Sequence, residues 1–509
     1  MTVGKVWLVG AGPGDPGLIT VRGLAVLERA DVVLTDALAH PALLEACPQA
    51  EIRDVGKRYG EESTPQTAIT EELIALARAG KRVVRLKGGD PLMFARGGEE
   101  AWALAGAGIP FEIVPGVSSP VAASAYAGIP LTHRDVSKSV TFITGSDKAG
   151  QEWSPAAWKK LATATDTICV LMGMRRIDEI VGAILEGGRS PSTPAAVIQW
   201  GTRPEQRVVT GTLNDIAERT RASRLKNPAL IVVGEVVGLR ERLRWFDTQP
   251  LFGKTIFLPR PAAQARVSAQ AIRERGAEPL LIPMIRIEPP PDPSELESAV
   301  DRLGEYGWVL FTSANGVERF FAVLRARGRD ARALGGTKLA VIGPRTGCAL
   351  EKFGLVADVM AERFVGESLA EALASESRSK KILLPRALVA REALPEALRA
   401  QGFVVDVVAA YRTLPAAPST RALLVTAIAE RRVDVALFTS SSTVTETLAT
   451  LGDEAQSMLA GVTVASIGPI TTRTLEDAGV RVDVTADVYT VDGLLDALER
   501  HFTEQVSAL

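Results

Sequence analysis

The 509-residue chain has few of the residues that build disulfide frameworks and metal centres. It contains three cysteines and three histidines, and Cys47, Cys169 and Cys348 lie far apart without the spacing of metal ligands. A disulfide-rich domain, a zinc ribbon and a histidine-rich metal centre are therefore not expected. The sequence predicts a protein that works without a metal.

The chain also lacks an excess of charge of either sign, and it lacks long apolar segments. Lys and Arg number 58 and Asp and Glu number 60, so the formal net charge is −2. Nucleic-acid-binding proteins usually present a basic face, and no apolar run reaches the roughly 18 residues that cross a bilayer. The first residues enter a strand pattern without the apolar region of a signal peptide. We expect a cytoplasmic protein that binds neither nucleic acid nor membrane.

Aromatic residues make up only 5% of the chain, whereas glycine is frequent, which favours close-packed α/β layers. The length predicts about two to four domains. Strand-like runs such as Val6–Val9, Val32–Leu34 and Arg82–Leu86 alternate with helical segments, a pattern typical of largely parallel sheets. The pattern pauses around residues 245–250 and resumes at Lys254, so we predict a domain boundary there.

The second half of the chain contains an internal duplication. The strand-and-turn segment 308–315, with Phe-Thr-Ser, recurs at 435–442, and the Ile-Gly-Pro segment 341–346 recurs at 466–471. The two copies keep the same order, with helical segments in between. The repeat is too long for a solenoid and instead predicts two related α/β lobes that face each other.

Two glycine-rich turns follow strands in the first half. The turn at 10–16 loosely resembles the G-x-G-x-x-G turn of dinucleotide-binding proteins, but Asp15 holds its sixth position and would repel a phosphate. A second turn, Gly88-Gly89-Asp90-Pro91, ends another strand in the same way. Aspartate beside exposed backbone suits a cationic ligand with an amino-acid group, such as S-adenosylmethionine, better than NAD. A purely structural role in tight turns is the alternative for the glycines.

Further motifs make a family resemblance specific. They are Val-Gly-Ala-Gly-Pro-Gly-Asp-Pro at 9–16, Val-Gly-Lys-Arg at 55–58, Leu-Lys-Gly-Gly-Asp-Pro at 86–91 and Leu-Thr-His-Arg at 131–134. With them, residues 3 to about 245 resemble the uroporphyrinogen-III C-methyltransferases of the tetrapyrrole methylase family. The resemblance implies a two-lobed tetrapyrrole-methylase fold with S-adenosylmethionine between the lobes, and a homodimer formed through this domain.

The same resemblance implies roles for individual residues. It makes Asp36 a proton acceptor and Lys57 a proton donor, although a helix cap and a surface lysine are the alternatives. General-base help of this kind is typically worth about 10²–10⁴-fold. The positions that match cofactor contacts in the family are Pro13, Gly88, Gly89, Asp90, Met93, Ser118, Ser119, Met172, Gly201 and Ala229. For the two methionines, filling the core is the alternative.

Four basic residues are candidates for binding the carboxylates of the substrate. They are Arg85, Arg96, His133 and Arg134, and guanidinium groups are well suited to bidentate carboxylate contacts. Ion pairs inside the domain are an equally good explanation of these residues.

Residues from about 253 to 509 are similar to uroporphyrinogen-III synthases. The similarity rests on the order of short motifs, among them Leu-Pro-Arg at 258–260, Phe-Thr-Ser at 311–313, Tyr-Arg-Thr at 411–413 and Phe-Thr-Ser at 438–440. It implies a two-lobed α/β synthase fold with a two-strand hinge. The resulting division is a methyltransferase at 1–246, a linker at 247–252, and a synthase at 253–509 with lobe one at about 253–286 plus 413–509 and lobe two at about 289–410.

The synthase resemblance also implies a site. Tyr411 matches a tyrosine near the family's leaving group and is the candidate acid, with packing in the hinge as the alternative. The candidate substrate-binding residues are Arg260, Thr312, Ser313, Thr439 and Ser440. For each of the hydroxyls, capping of a turn is the alternative.

Together the two resemblances imply a bifunctional enzyme. It would cyclise hydroxymethylbilane to uroporphyrinogen III with inversion of the last ring, and transfer two methyl groups from S-adenosylmethionine to give precorrin-2 for sirohaem or cobalamin. The alternative is a methyltransferase with a non-catalytic tetrapyrrole-binding C-terminal module. A nicotinamide oxidoreductase is disfavoured by Asp15. Because the chain starts directly with the methylase, we expect no dehydrogenase or chelatase activity.

Overall fold

The computed structural model describes residues 3–56, 65–145, 155–362, 366–374 and 381–507. The chain divides into two compact units. The first consists of Met1–Thr255, Ala271–Glu278 and Glu499–Leu509, and the second of Ile256–Gln270 and Pro279–Leu498. Within the described ranges, no helix combines the length and the apolar character needed to cross a membrane.

The first sheet of the first unit has five parallel strands in the order β3-β2-β4-β1-β5. Helices cover both faces: Val83 packs towards α2 and α3, whereas Val84 and Leu86 pack towards α1. The strands are β1 (Lys5–Gly10), β2 (Val32–Thr35), β3 (Glu51–Asp54), β4 (Arg82–Lys87) and β5 (Phe111–Val114). The helices are α1 (Val21–Leu27), α2 (Gln66–Arg78), α3 (Gly97–Gly106) and α4 (Ser119–Tyr126).

The second sheet of this unit has the order β6-β7-β10-β8-β9 and is mixed. Its strands are β6 (Val140–Thr144), β7 (Thr167–Leu171), β8 (Pro194–Gln199), β9 (Arg207–Thr212) and β10 (Ala229–Val233). Its helices are α5 (Pro155–Ala164), α6 (Ile177–Glu186), α7 (Ile216–Ala222) and α8 (Arg240–Leu243). Only β6 and β7 are parallel, so in this unit the expected parallel arrangement holds for the first sheet, and it holds again for most strand pairs of the other two sheets. Fully buried apolar strands such as β10 have the same composition in either direction.

Two further sheets lie mainly in the second unit, with orders β12-β11-β19-β20-β21 and β13-β18-β17-β14-β15-β16. The strands are β11 (Thr255–Leu258), β12 (Glu278–Leu281), β13 (Ile285–Glu288), β14 (Tyr306–Phe311), β15 (Lys338–Val341), β16 (Val359–Met360), β17 (Lys381–Ala387), β18 (Val405–Pro415), β19 (Val435–Phe438), β20 (Thr463–Ser466) and β21 (Val484–Thr485). The helices are α9 (Ala262–Glu274), α10 (Ser294–Asp301), α11 (Ala314–Ala326), α12 (Pro344–Glu351), α13 (Gly366–Ala372), α14 (Ala393–Ala400), α15 (Pro418–Ala429), α16 (Ser441–Leu451), α17 (Ala455–Leu459), α18 (Pro469–Asp477) and α19 (Val491–Ser507).

Two strands connect the two lobes of this unit, as the sequence predicts. The chain leaves the first lobe through β13 and returns through the end of β18, and these segments pair antiparallel, with Ile287 opposite Thr413. The earlier part of β18 is instead parallel to β17. The two-lobed fold with a two-strand hinge is therefore confirmed.

The internal duplication corresponds to two matching strand–helix units. β14 and β15 are parallel neighbours in one lobe, and β19 and β20 are parallel neighbours in the other. Ser313 and Ser440 occupy equivalent N-caps, with φ of −159° and −167°, and their side chains accept hydrogen bonds from the backbone of Gly316 and Thr443. The duplicated Thr-Ser motif thus starts α11 and α16 in the same way.

Candidate active sites

Four glycines allow the loops at the carboxyl edge of the first sheet to pack closely. Gly12 and Gly89 exchange backbone hydrogen bonds of 3.2 and 2.7 Å. A β-carbon on Gly10 would lie 2.5 Å from the Gly116 Cα, and one on Gly116 would lie 2.4 Å from the Gly89 carbonyl oxygen. Side chains are therefore excluded at Gly10 and Gly116, because the loops after β1, β4 and β5 pack backbone against backbone there.

The second sheet brings its predicted cofactor positions to one edge. β10 is antiparallel to both β7 and β8, with Leu230 opposite Leu171 and Ala229 opposite Gln199. The carboxyl ends of β7 and β8 and the amino end of β10 therefore coincide. Met172, Gly201 and Ala229, which lie at these strand ends, come from three separate parts of the sequence.

Direct contacts join the edges of the two sheets. The Asp15 backbone N–H donates to Thr202 Oγ1 at 3.0 Å, and the Tyr126 hydroxyl donates to Asp15 Oδ2 at 2.6 Å. Burial and the neighbouring Asp15 carboxylate both raise the pKa of Tyr126. A β-carbon on Gly201 would lie 2.3 Å from Ala123 Cβ. These contacts bring the two sheet edges together, and we refer to their junction as the candidate cofactor cleft.

Backbone strain is concentrated in the same loops. Phe94, Arg96, Met172, Trp200 and Thr202 all have positive φ, between 48° and 75°, although none is a glycine. Left-handed backbone at non-glycine residues is unfavourable, and it clusters at functional sites where the surrounding structure enforces it. The strained residues follow β4, β7 and β8, the strands whose ends form the cleft.

The predicted cofactor residues differ in what their side chains do. Asp90 Oδ1 accepts from the backbone of Leu92 and Met93, at 2.8 and 3.2 Å, and Oδ2 accepts from Gly116 at 3.1 Å. Asp90 therefore holds the loop in shape. Met93 is 38% exposed and Met172 is 47% exposed, so neither fills a core. The remaining members, Pro13, Gly88, Ser118 and Ser119, are partly buried in the loops after β1, β4 and β5.

Asp36 ends β2 at the same edge, and its side chain is 27% exposed. It forms an ion pair with Arg85, whose guanidinium also donates to the Leu34 carbonyl at 3.2 Å. The Arg85 side chain is only 3% exposed, so it lies inside the lobe, in agreement with the ion-pair alternative. Lys57, the predicted proton donor, falls outside the described residues.

The other predicted substrate-binding cations of this unit lie on exposed loops. Arg96 donates to both carboxylate oxygens of Glu99, at 2.9 and 2.6 Å, and this contact raises the pKa of Arg96. His133 and Arg134 are exposed in a turn closed by hydrogen bonds between His133 and Ser137. These three side chains are accessible to a substrate.

The second unit contains a cleft of about 290 Å³ between its two lobes. It is lined by every residue that the sequence predicts for the synthase site. These are Arg260, Thr312, Ser313, Tyr411, Thr439 and Ser440. The hinge strands contribute Ile285, Ile287 and Thr413, so both lobes and the hinge build the site.

The cleft is cationic. Arg260 is 5% exposed and donates to Ser268 Oγ at 2.9 Å. Burial and the nearby charge of Arg345 lower the pKa of Arg260 to about 10, and desolvation by the cleft walls also lowers the pKa of Arg345. Both arginines remain charged at neutral pH. Because α11, α12 and α16 begin at the cleft, their positive helix ends add to this field, and the arrangement suits a ligand with several carboxylates.

Tyr411 lies at the junction of the lobes and is 8% exposed. Its ring belongs to the apolar core of the β14 lobe, and its hydroxyl lies 3.0 Å from Ser313 Oγ. The packing alternative therefore holds for the ring, while the hydroxyl lies in the cleft. Likewise, Ser313 and Ser440 cap helices and line the cleft at the same time.

Sequence reasoning missed part of the cleft lining. The additional polar residues are Asn315, Arg345, Thr346, Thr413, Ser442 and Thr443. A signal was available for Arg345, because it lies in the duplicated Ile-Gly-Pro motif and its counterpart in the second copy is Ile470. A charged residue in one copy only indicates a role that the fold alone does not require.

Family models match both halves of the chain. Residues 5–217 match the Tetrapyrrole (Corrin/Porphyrin) Methylases, and residues 266–496 match Uroporphyrinogen-III synthase HemD. The porphyrin biosynthesis protein HemD of Ruminiclostridium josui is 37% identical over 500 residues, which cover 98% of each chain. The chain belongs to this family of methylase–synthase fusions.

Other relatives match parts of the fusion protein. The uroporphyrinogen-III C-methyltransferase of Bacillus subtilis is 39% identical over 70% of this chain and 73% of its own. The siroheme synthase of Pseudomonas fluorescens (strain Pf0-1) is 50% identical over 48% of this chain, and the match spans about half of that relative's length, 53%. A uroporphyrin-III C-methyl transferase from Thermus thermophilus, crystallised with S-adenosyl homocysteine, is 38% identical over 46% of this chain and 100% of its own, with a TM-score of 0.41.

Membership of the fusion family confirms the resemblances drawn from both halves of the sequence. The protein is a tetrapyrrole-biosynthesis enzyme that joins a methyltransferase of the uroporphyrinogen-III C-methyltransferase type to a uroporphyrinogen-III synthase. The roles of the individual site residues stay predictions.

Proposed function

We propose that the two halves catalyse consecutive reactions on one tetrapyrrole. The synthase half closes hydroxymethylbilane to uroporphyrinogen III, and the methylase half transfers two methyl groups to that product to give precorrin-2. The observation that supports the proposal is that candidate residues of each family lie close together, at the joined sheet edges of the first unit and around the cationic cleft of the second.

The first cleft fits S-adenosylmethionine. Its loops pack so closely that Gly10 and Gly116 leave no room for a β-carbon, and the exposed Met93 and Met172 would contact the ligand. Bound there, S-adenosylmethionine supplies an electrophilic methyl group on a sulfonium. The protein contributes mainly by holding the pyrrole carbon in line with that methyl group.

Asp36 is the proposed proton acceptor. Its carboxylate takes the pyrrole N–H proton as the new carbon–carbon bond forms, so positive charge does not accumulate on the ring. Arg85 holds the carboxylate in position from inside the lobe. Arg96, His133 and Arg134 are proposed to bind the carboxylate arms of the substrate, and Lys57 remains the proposed proton donor.

In the second cleft, Arg260 and Arg345 are proposed to bind carboxylate arms of the linear tetrapyrrole, together with Thr312, Thr439 and the helix ends. The Tyr411 hydroxyl gives its proton to the departing hydroxyl of hydroxymethylbilane. The carbon–oxygen bond breaks, water leaves, and the resulting carbocation is attacked by the carbon through which the last pyrrole joins the chain. The bond from that carbon to the chain then breaks and re-forms at the free carbon of the same ring, which inverts the ring, and the proton lost from the free carbon returns to the Tyr411 oxygen. The walls of the cleft shield that cation from other nucleophiles.

The assembly and location of the enzyme are also proposals. We propose a homodimer formed through the methyltransferase domain, supported by exposed apolar side chains on that unit, among them Val21 at 88% and Trp102 at 83%. Light scattering tests it, since a monomer would contradict it. A domain boundary at 247–252 and a cytoplasmic location complete the proposal.

The test of the function uses each substrate separately with the full chain. Uroporphyrinogen III with methyl-labelled S-adenosylmethionine is expected to take up two methyl groups, as counted by mass spectrometry. Hydroxymethylbilane alone is expected to give the type-III isomer in chromatography. If only the type-I isomer forms, the second half is a non-catalytic tetrapyrrole-binding module; if no methyl group is incorporated, the methylase assignment is wrong.

A further inference from the structure

A buried group of charges lies behind Asp36. In β4 alternate residues face α2 and α3, and Arg85 and Lys87 follow Val83 on this face. Glu100 of α3 meets them: its Oε1 lies 3.3 Å from Arg85 Nε and 3.1 Å from Lys87 Nζ. The side chains of all three are at most 3% exposed.

The way Glu100 is bound is unusual. Its Oε1 accepts from Arg85, from Lys87 and from Gln66 Nε2 at 2.7 Å. Its Oε2 is buried and has no hydrogen-bond partner among the residues that the structure describes. Buried charges with incomplete hydrogen bonding are a poor source of stability, and apolar residues of similar size often serve better. A purely structural role therefore does not account for this group.

We propose that Glu100 and Lys87 are positioning residues that set the protonation of Asp36 through Arg85. The inference rests on the proposed role of Asp36 as proton acceptor. Arg85 forms ion pairs with both Asp36 and Glu100. A stronger ion pair between Arg85 and Glu100 therefore weakens the ion pair between Arg85 and Asp36. Lys87 balances the charge of Glu100. Burial and the charge of Arg85 lower the pKa of Lys87, whereas Glu100 and Asp36 raise it, so these four groups are electrostatically linked.

Single changes of charge therefore act on Asp36 in opposite directions. Glu100→Gln removes a negative charge and strengthens the ion pair between Arg85 and Asp36. Lys87→Met removes a positive charge and weakens that ion pair. The double variant removes both charges and returns the ion pair towards its starting strength. A charge at this distance in a buried setting shifts a pKa by about one unit or more.

Other charged residues on the segments around the end of β2 stay unchanged in these variants. They are Asp54 at the end of β3, Asp90 in the loop after β4, and Arg203, which donates to the Leu38 carbonyl at 3.1 Å. Differences between the variants thus report on Glu100 and Lys87 rather than on the rest of the pocket.

The experiment measures the pH dependence of kcat/KM for methylation of uroporphyrinogen III by the full chain. We expect the acid limb to move down by about one pH unit in Glu100→Gln, up by a similar amount in Lys87→Met, and back near the unmodified enzyme in the double variant. Calorimetric binding of S-adenosylhomocysteine checks that each variant is folded. Equal shifts in one direction, or no shifts, overturn the inference.

Two further variants keep the test decisive. If Glu100→Gln is too unstable to assay, Glu100→Asp keeps the charge but withdraws it from Arg85, and we expect a smaller downward shift; an upward shift overturns the inference. Asp36→Asn separates the two claims. If it binds S-adenosylhomocysteine but has lost methylation while the single variants show no opposite shifts, only the inference fails. If Asp36→Asn remains fully active, the proposed role of Asp36 fails and the inference with it.

Discussion

The hydroxyl of Tyr411 lies 3.0 Å from Ser313 Oγ, which itself caps α11 by accepting from the Gly316 backbone at 3.1 Å. A side chain that packs in the core of one lobe is thereby held with its hydroxyl in the cleft. The contact links the hinge strand β18 to the first copy of the duplicated Thr-Ser motif. It places a proton donor beside the surface that would bind the substrate.

We predict that Tyr411→Phe slows cyclisation while leaving the fold intact. The ring stays packed and only the proton donor is lost, so kcat for the synthase reaction should fall by about 10²-fold or more. Ser313→Ala is the matched control: it should lower stability by about 1 kcal/mol through loss of the helix cap, with a smaller effect on kcat. An unchanged rate in Tyr411→Phe would remove Tyr411 as the acid.

Arg345→Ile should weaken substrate binding in the synthase cleft. Isoleucine occupies the equivalent position, 470, in the second copy of the repeat, so the fold is expected to accommodate it. Loss of a charged hydrogen bond should raise KM for hydroxymethylbilane by roughly 10- to 100-fold. Steady-state kinetics check this, with Arg332→Gln, a fully exposed site on the same lobe, as the control. If KM is the same in both variants, Arg345 does not bind the substrate.

Gly10→Ala should abolish binding of the methyl donor. The new β-carbon would lie 2.5 Å from backbone atoms of Gly116, so the loops after β1 and β5 must move apart at the candidate cofactor cleft. The control is Gly106→Ala at the end of α3, where a β-carbon meets nothing within 4 Å; there alanine should add about 0.4–1 kcal/mol of stability. Calorimetry with S-adenosylhomocysteine distinguishes the two variants. Normal affinity in Gly10→Ala would show that the close packing at Gly10 is not needed to bind the methyl donor.

The stability of the protein should depend on Glu112 in acid. Hydrogen bonds from Lys5 and Arg22, the largest causes, lower the pKa of Glu112 from its ordinary 4.5 to about 2. The carboxylate is thus favoured in the folded state, and its contribution is present above about pH 4.5 and lost as the pH falls to about 2. Glu112→Gln should be less stable than the unmodified protein above pH 4.5, with the difference vanishing near pH 2.

Thermal unfolding across this pH range provides the measurement. Glu295→Gln, which changes an exposed carboxylate at the start of α10, controls for the general effect of removing a negative charge. A difference between Glu112→Gln and the unmodified protein that does not change with pH would contradict the account.

Much of this architecture could be predicted from local patterns. Turns such as Gly88-Gly89-Asp90 follow parallel strands, and parallel strands end at the same edge, so their meeting follows from topology. The duplicated Thr-Ser motif likewise predicts two facing lobes. These inferences needed only chain order and alternation.

The antiparallel strands of the second sheet were not foreseen, and for Arg85 the sequence left a substrate contact and an internal ion pair equally open. Strand direction in the second sheet depends on connections whose lengths do not favour one topology. Arg85 stands between Val84 and Leu86 in a buried central strand, and alternation places it on the face of α2 and α3. The structure shows the internal ion pair, and its partner Glu100, 15 residues further along the chain, is found only in the folded structure.

The most direct test of two consecutive activities is a single reaction of the full chain with hydroxymethylbilane, with and without S-adenosylmethionine. Chromatography follows the isomer type, and absorbance follows precorrin-2. We predict the type-III isomer without the methyl donor and precorrin-2 with it. Accumulation of the type-I isomer without the donor would contradict the account, because the second half would then bind tetrapyrrole without closing it.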